Sequence, residues 1–281
     1  RCHETITVQI ILFNLSARSK YAMNNNFHKI FRKNVEQRTY RSQFNTNRFT
    51  GFEIKHQETG LWIGVDPESF KNEMKEAAQV KAKSLHWKLD EYIKTEPFFK
   101  KSLKPFVPAE HAPPEAVEMA GAAGKAGVGP MAAVAGLFAR EVANEIFQNF
   151  SVNEMVIENG GDICALLKNE LVLSVFAGDS VLSERIGLVI PAEAGFLGIC
   201  TSAGTVGSSL SYGKADAVVV IAENPLVADV FATAFGNKVK SANDVEKVIN
   251  QAEKYSEILS LLIICEDQVG IRGDYEIKIL K

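Results

Sequence analysis

Three segments in the second half of the chain hold residues whose types and spacing could do chemistry. The first is Glu158-Asn159-Gly160-Gly161-Asp162. A glycine pair lets the backbone turn sharply and bare its N–H groups, and an adjacent Asp can hold the loop or a ligand hydroxyl. The same composition also suits a plain turn. The second is Thr201-Ser202-Ala203-Gly204-Thr205-Val206-Gly207-Ser208-Ser209, whose hydroxyls and amides could contact a phosphate or a polar ring edge. Its composition equally suits a surface loop. The third is Ala228-Asp229-Val230-Phe231-Ala232-Thr233-Ala234-Phe235. Asp229 and Thr233 are four apart, so on a helix they share a face and could offer two oxygens to one hard cation. In the alternative reading Asp229 only favours the dipole of its own helix, and Thr233 bonds a carbonyl behind it.

Other chemistries fail on spacing. Gly124-Lys125 and Gly213-Lys214 lack the phosphate-loop pattern, and each Lys is followed by Ala where a magnesium-binding hydroxyl is needed. There is no Gly-x-Ser-x-Gly elbow. The five histidines have no metal-ligand spacing, and Cys2, Cys164, Cys200 and Cys265 form no Cys-x-x-Cys pair.

Taken together and in this order, the three segments resemble the ApbE family of flavin transferases. Residues 115–240 carry the likeness, and Gly127-Val-Gly-Pro-Met-Ala-Ala-Val-Ala-Gly136 is similar to a cytoplasmic ApbE-like branch of anaerobic archaea and bacteria. The resemblance implies an ApbE-like, T-fold-related α+β architecture. It implies FAD or FMN as ligand, magnesium as cofactor, and either FMN transfer to a protein threonine or FAD pyrophosphate cleavage. It places Asp229 and Thr233 on the metal. It places Asn159, Gly160, Gly161, Asp162, Thr201, Ser202, Gly204 and Gly129 around the cofactor. One departure stands out: where the family carries His-Ile-x-Asp-Pro, this chain reads Ser209-Leu-Ser-Tyr-Gly-Lys-Ala-Asp216, with neither the His nor the Asp-Pro. Asp216 is then the candidate that joins Asp229 as a catalytic carboxylate. The departure motivates a rival reading, a non-catalytic binding protein that uses the same cleft for another cofactor or metabolite.

These residues need elements to hold them. Alternation around Glu58-Thr59-Gly60 predicts a β-hairpin within 51–65. A helix follows over 68–94, with Met74, Ala78, Val80, Leu85, Leu89 and Ile93 as its buried stripe. The Ala/Gly-rich stretch 115–149 predicts two helices in series, the second from near Pro130 to Phe147. Its small residues invite close approach by a backbone or a ligand. Strands are expected at 155–157, 163–167, 171–176, 186–190, 195–200, 217–221, 259–264 and 275–280, with 163–167 and 171–176 joined across Lys168-Asn169-Glu170. Helices are expected at 225–235 and 243–254. Short links dominate and regular βα alternation is absent, which favours α+β with antiparallel sheets over a doubly wound parallel fold.

Composition sets the outer bounds. At 281 residues, 46% hydrophobic and 23% charged, the chain is ordinary globular material, and no apolar run is long enough for a spanning helix. Dispersed cysteines suit a reducing cytoplasm. Residues 1–50 carry nine Lys/Arg against Glu4 and Glu36, a net +7, so the remaining 231 residues carry −10 of the overall −3. We expect a basic, poorly ordered extension over 1–45, with 1–22 read as non-native sequence before Met23, and a single domain over 46–281. A nucleic-acid grip by residues 27–48 is the weaker reading, because the stretch matches no recognised nucleic-acid-binding fold. No membrane partner is expected. The small-residue helices could also face a second copy in a homodimer.

Overall fold

The computed structural model describes residues 8–10, 47–178, 180–192, 195–204 and 212–280. Apart from β1 (Val8–Ile10), the basic extension lies outside the described residues. The chain then runs β2 (Thr50–His56), β3 (Thr59–Val65), α1 (Glu73–Thr95), α2 (Pro97–Lys101), α3 (Pro114–Ala126) and α4 (Val134–Asn149). Next come β4 (Met155–Asn159), β5 (Asp162–Leu166), β6 (Leu171–Val175), β7 (Ile186–Ile190), β8 (Phe196–Ser202) and β9 (Ala217–Ala222). It closes with α5 (Pro225–Lys238), α6 (Val245–Gln251), β10 (Ile258–Cys265), β11 (Gln268–Gly273) and β12 (Ile277–Ile279).

Eight strands form one antiparallel sheet in the order β11-β10-β9-β8-β5-β4-β3-β2. A smaller sheet has the order β1-β6-β7-β12, in which only the β1–β6 pair is parallel. The architecture is α+β with antiparallel sheets. Helices cover one face of the large sheet and the small sheet covers the other. β9 shows why. Val218, Val220 and Ala222 pack with α3, α4 and α5, while Ala217, Val219 and Ile221 pack against the small sheet. A strand buried on both faces reads as a continuous apolar run, as this Val-rich segment does. A further core joins α1 and α4 to β3 through Met74, Ala78, Val142, Ile146, Leu61 and Ile63.

The predicted hairpin forms, with Gln57 and Glu58 at its turn. The first long helix starts at Glu73, later than expected. Its buried stripe contains Ala82 and Tyr92, while Val80 is exposed and Ile93 only half-buried. The expected join across Lys168-Asn169-Glu170 is a crossing between sheets, because β5 belongs to the large one and β6 to the small one. Strand β11 was not anticipated. It is a short edge strand, largely exposed, in which only Val269 and Ile271 are apolar. Among the described residues, no single helix is long and apolar enough to cross a membrane.

Candidate functional site

The site begins at the turn between β4 and β5. Gly160 and Gly161 have φ of 68° and 103°, and Asn159 pairs with Asp162. Two consecutive residues at positive φ make the tight hairpin turn that suits right-twisted strands, and glycine adopts it without strain. The Glu158 carboxylate accepts the Gly161 amide at 2.9 Å, and the Asn159 amide group donates to the Ala135 carbonyl at 3.2 Å. The turn therefore delivers Asp162 to the first position of β5 and ties it to the start of α4.

Asp162 and Asp229 meet in a cavity of about 340 Å³ between α2, α4 and α5. Thr233 also lines it, as do Gly129, Ala135, Lys100, Tyr212 and Asn237. Both carboxylates are buried, at 8% exposure each. Asp229 Oδ2 accepts the Gly136 amide at 2.8 Å. Burial pushes the Asp229 carboxyl up to about 7, against the pull of the Gly136 and Ala135 amides, which favour its charged form. Burial, and then the neighbouring charge of Asp229, raise Asp162 well above the usual carboxylate range, although the Cys200 thiol and the Thr201 amide oppose this. The Thr201 amide reaches Asp162 Oδ1 at 3.3 Å.

Small residues let the walls close on these groups. A Cβ on Gly136 would lie 2.5 Å from the Pro225 carbonyl oxygen, and one on Gly198 would lie 2.4 Å from Pro225 Cα. The N-terminus of α5 is thus pressed onto both α4 and β8. The close approach expected of the Ala/Gly-rich stretch is made here by backbone.

The structure gathers Asp162, Asp229, Thr233 and Gly129 around one cavity, whereas Asn159, Gly160 and Gly161 do not line it; they form the turn that places Asp162, and Asn159 bonds to Ala135 in its wall. Thr201 and Ser202 end β8 and are buried, but neither lines the cavity. Thr201 contributes its backbone amide, and its Oγ1 is buried with no partner among the described residues. Gly204 donates to the Ala215 carbonyl at 2.8 Å and packs against Gly213. Residues 205–209, the rest of the hydroxyl-rich segment, lie outside the described residues. Asp216 is placed elsewhere: its carboxylate accepts the Glu266 amide at 2.6 Å, where β10 turns into β11. Sequence reasoning missed Lys100, Tyr212 and Asn237. Asn237 extends the Asp229–Thr233 spacing by another four residues, so a longer reading of that helical face would have found it.

The donor set suits a hard cation. Two carboxylates and a hydroxyl are oxygen ligands, and Mg²⁺ is commonly held by one or two carboxylates plus waters and substrate phosphates. Among the described residues, no group of three or more His, Cys, Asp or Glu could hold a metal ion alone. A ligand's own oxygens would have to complete the shell.

The layered sheets are those of an ApbE-like fold. The chain superposes on the apo crystal structure of Pseudomonas stutzeri flavinyl transferase ApbE with a TM-score of 0.52, covering 80% of this chain and 93% of that one, at 11% identity. A family model described as "AbpE bacteria" matches residues 41–265, and the chain belongs to that family. A UPF0280 protein of Methanocaldococcus jannaschii is 35% identical over 77% of this chain and 88% of its own length. One from Methanosphaerula palustris is 46% identical over 54% of this chain and 63% of its own length.

Proposed function

We propose that this protein binds a flavin nucleotide, FAD or FMN, in the cavity between α2, α4 and α5. The observation that carries this reading is the buried pair Asp162 and Asp229, with Thr233 beside it, on an ApbE-like fold. Two buried carboxylates facing one space favour a cation between them and a phosphate-bearing ligand. Asp229, Thr233 and Asp162 would hold Mg²⁺, which would offset charge on the phosphates as a pyrophosphate bond breaks. Asn159 and the Gly160–Gly161 turn fix the carboxylate wall. Gly136 and Ala135 hold the Asp229 carboxylate in place through their amides.

In the reaction, a hydroxyl oxygen from water or from an acceptor threonine attacks the FMN-side phosphorus of FAD. The bond to the bridging oxygen breaks, AMP leaves with that oxygen, and the proton of the attacking hydroxyl passes to solvent. Incubation with FAD and Mg²⁺ tests this, with FMN and AMP followed by chromatography. Stoichiometric FMN and AMP support hydrolysis, and AMP released with FMN retained on an added threonine-containing peptide supports transfer; the absence of AMP in both incubations removes the enzyme reading.

One observation favours the rival, binding without turnover. Asp216 is held by the β10–β11 turn rather than at the cavity. That reading expects FAD to bind and to be recovered intact. Mass spectrometry of a co-purified ligand separates the two, since a non-flavin ligand points to another cofactor or metabolite.

A further inference from the structure

The cavity has a second wall, opposite in charge to the first. It is built by the connector that follows α1. Helix α2 is anchored by Phe99, which is fully buried against Tyr92 and Phe106, with ring centroids 5.2 Å and 5.7 Å away. Its neighbours therefore turn outward: Phe98 is 72% exposed, and Lys100 is exposed at the lip of the cavity it lines. The next residues are equally fixed. Ser102 Oγ donates to the Lys104 carbonyl at 2.7 Å and accepts the Lys104 amide at 3.2 Å. The Ser102 carbonyl oxygen sits so close to Gly129 that a Cβ there would lie 1.8 Å from it. Lys100 thus stands on a rigid mount, not on a loose loop.

The charge of this mount is unlike that of the rest of the domain. Residues 97–108 contain Lys100, Lys101 and Lys104 and no acid, in a body that is otherwise strongly acidic. Among the described residues none of the three forms an ion pair. Lys100 is also the one cationic side chain that lines the cavity among the described residues. An ammonium is a compact charge with three donors, suited to phosphate oxygens. The carboxylate wall repels an anion unless a cation intervenes, while the Lys100 wall attracts one directly.

We infer that Lys100 reads a phosphate of the ligand, so that the cavity selects a phosphorylated ligand over its unphosphorylated counterpart. The identity of the ligand's other half rests on the flavin reading above, but the recognition of phosphate does not.

Calorimetric titration of the full chain tests this with three probes: FMN, riboflavin and inorganic pyrophosphate, each with Mg²⁺ and with a chelator. The native protein should bind FMN at least tenfold more tightly than riboflavin. Lys100→Ala should weaken FMN and pyrophosphate roughly tenfold and leave riboflavin unchanged. The preference for FMN should shrink as salt is raised. Lys101→Ala, one residue along and away from the cavity, should change nothing. If Lys100→Ala weakens riboflavin as much as FMN, or affects neither, the inference is overturned. If the native protein binds FMN and riboflavin alike, the inference falls while the flavin reading stands. If pyrophosphate binds in a Lys100-dependent way but no flavin does, the flavin reading falls and the inference stands. If none of the three binds, both fall.

Discussion

Asp229 lies in the second turn of α5, yet the amide it holds belongs to α4. Its own helix is capped by Asn224, whose Oδ1 accepts the Leu226 amide at 3.0 Å. The i, i+4 spacing of Asp229 and Thr233 was legible in the sequence, because helical periodicity is local. The bond to Gly136, 93 residues away, was not, because nothing local encodes which helix packs alongside. The bond makes two substitutions behave differently. Asp229→Ala leaves a buried amide without an acceptor, and urea denaturation should show a loss of about 1–3 kcal/mol. Asp229→Asn keeps an oxygen for that amide and removes a charge facing Asp162. It should match the native protein in stability while losing any effect of Mg²⁺ on ligand binding. Equal Mg²⁺ dependence in Asp229→Asn and the native protein would take Asp229 off the metal.

Between elements, one kind of substitution should have opposite signs at two sites. A methyl on Gly136 meets the Pro225 carbonyl oxygen, so Gly136→Ala must push α4 and α5 apart, at a cost of about 1–3 kcal/mol or more. A methyl on Gly121 in α3 meets nothing within 4 Å, so Gly121→Ala should stabilise by roughly 0.5–1 kcal/mol through helix propensity. Thermal midpoints of the two variants check both. The crossing from β5 to β6 has its own tie. Glu154 accepts Arg48 at 2.9 and 2.8 Å and the amides of Lys168 and Asn169 at 2.7 and 2.8 Å. Burial alone would raise the Glu154 carboxyl, but these donors outweigh it and hold it below the usual carboxylate range. A carboxylate lowered by folding stabilises above its unfolded value and loses that contribution as pH falls through its folded value. Between about pH 5 and 3 the native protein should therefore lose more stability than Glu154→Gln, read as the shift in urea midpoint. The strands with apolar runs or clean alternation were readable in the sequence. What hid the crossing at Lys168–Glu170 is that a three-residue link looks the same whether it closes a hairpin or changes sheets. The Pro- and Lys-rich connector over 97–108 has no period at all, so the Lys100 wall was invisible until Phe99 was seen to anchor it.

At the scale of the whole molecule, β8, β9 and β10 are shared between the helical core and the inter-sheet core. Neither core can be lost while the other persists, so a ligand bound at one cavity stabilises the entire domain. A ligand that binds only the native state adds about 2.7 kcal/mol at a hundred times its dissociation constant. For a domain of this size that is a rise in thermal midpoint of roughly 5–10 °C. The acidic body and the two buried carboxylates make an anionic dinucleotide a poor guest on its own, and under the flavin reading a cation held by Asp162 and Asp229 would offset that charge. FAD with Mg²⁺ should therefore raise the midpoint by more than the separate increments of FAD and of Mg²⁺ combined. In Asp229→Asn the excess should vanish while a smaller FAD increment, supported by the Lys100 wall, remains. An FAD increment that is the same with Mg²⁺ and with a chelator would mean that the carboxylate pair serves the packing of α4 against α5 and not the ligand.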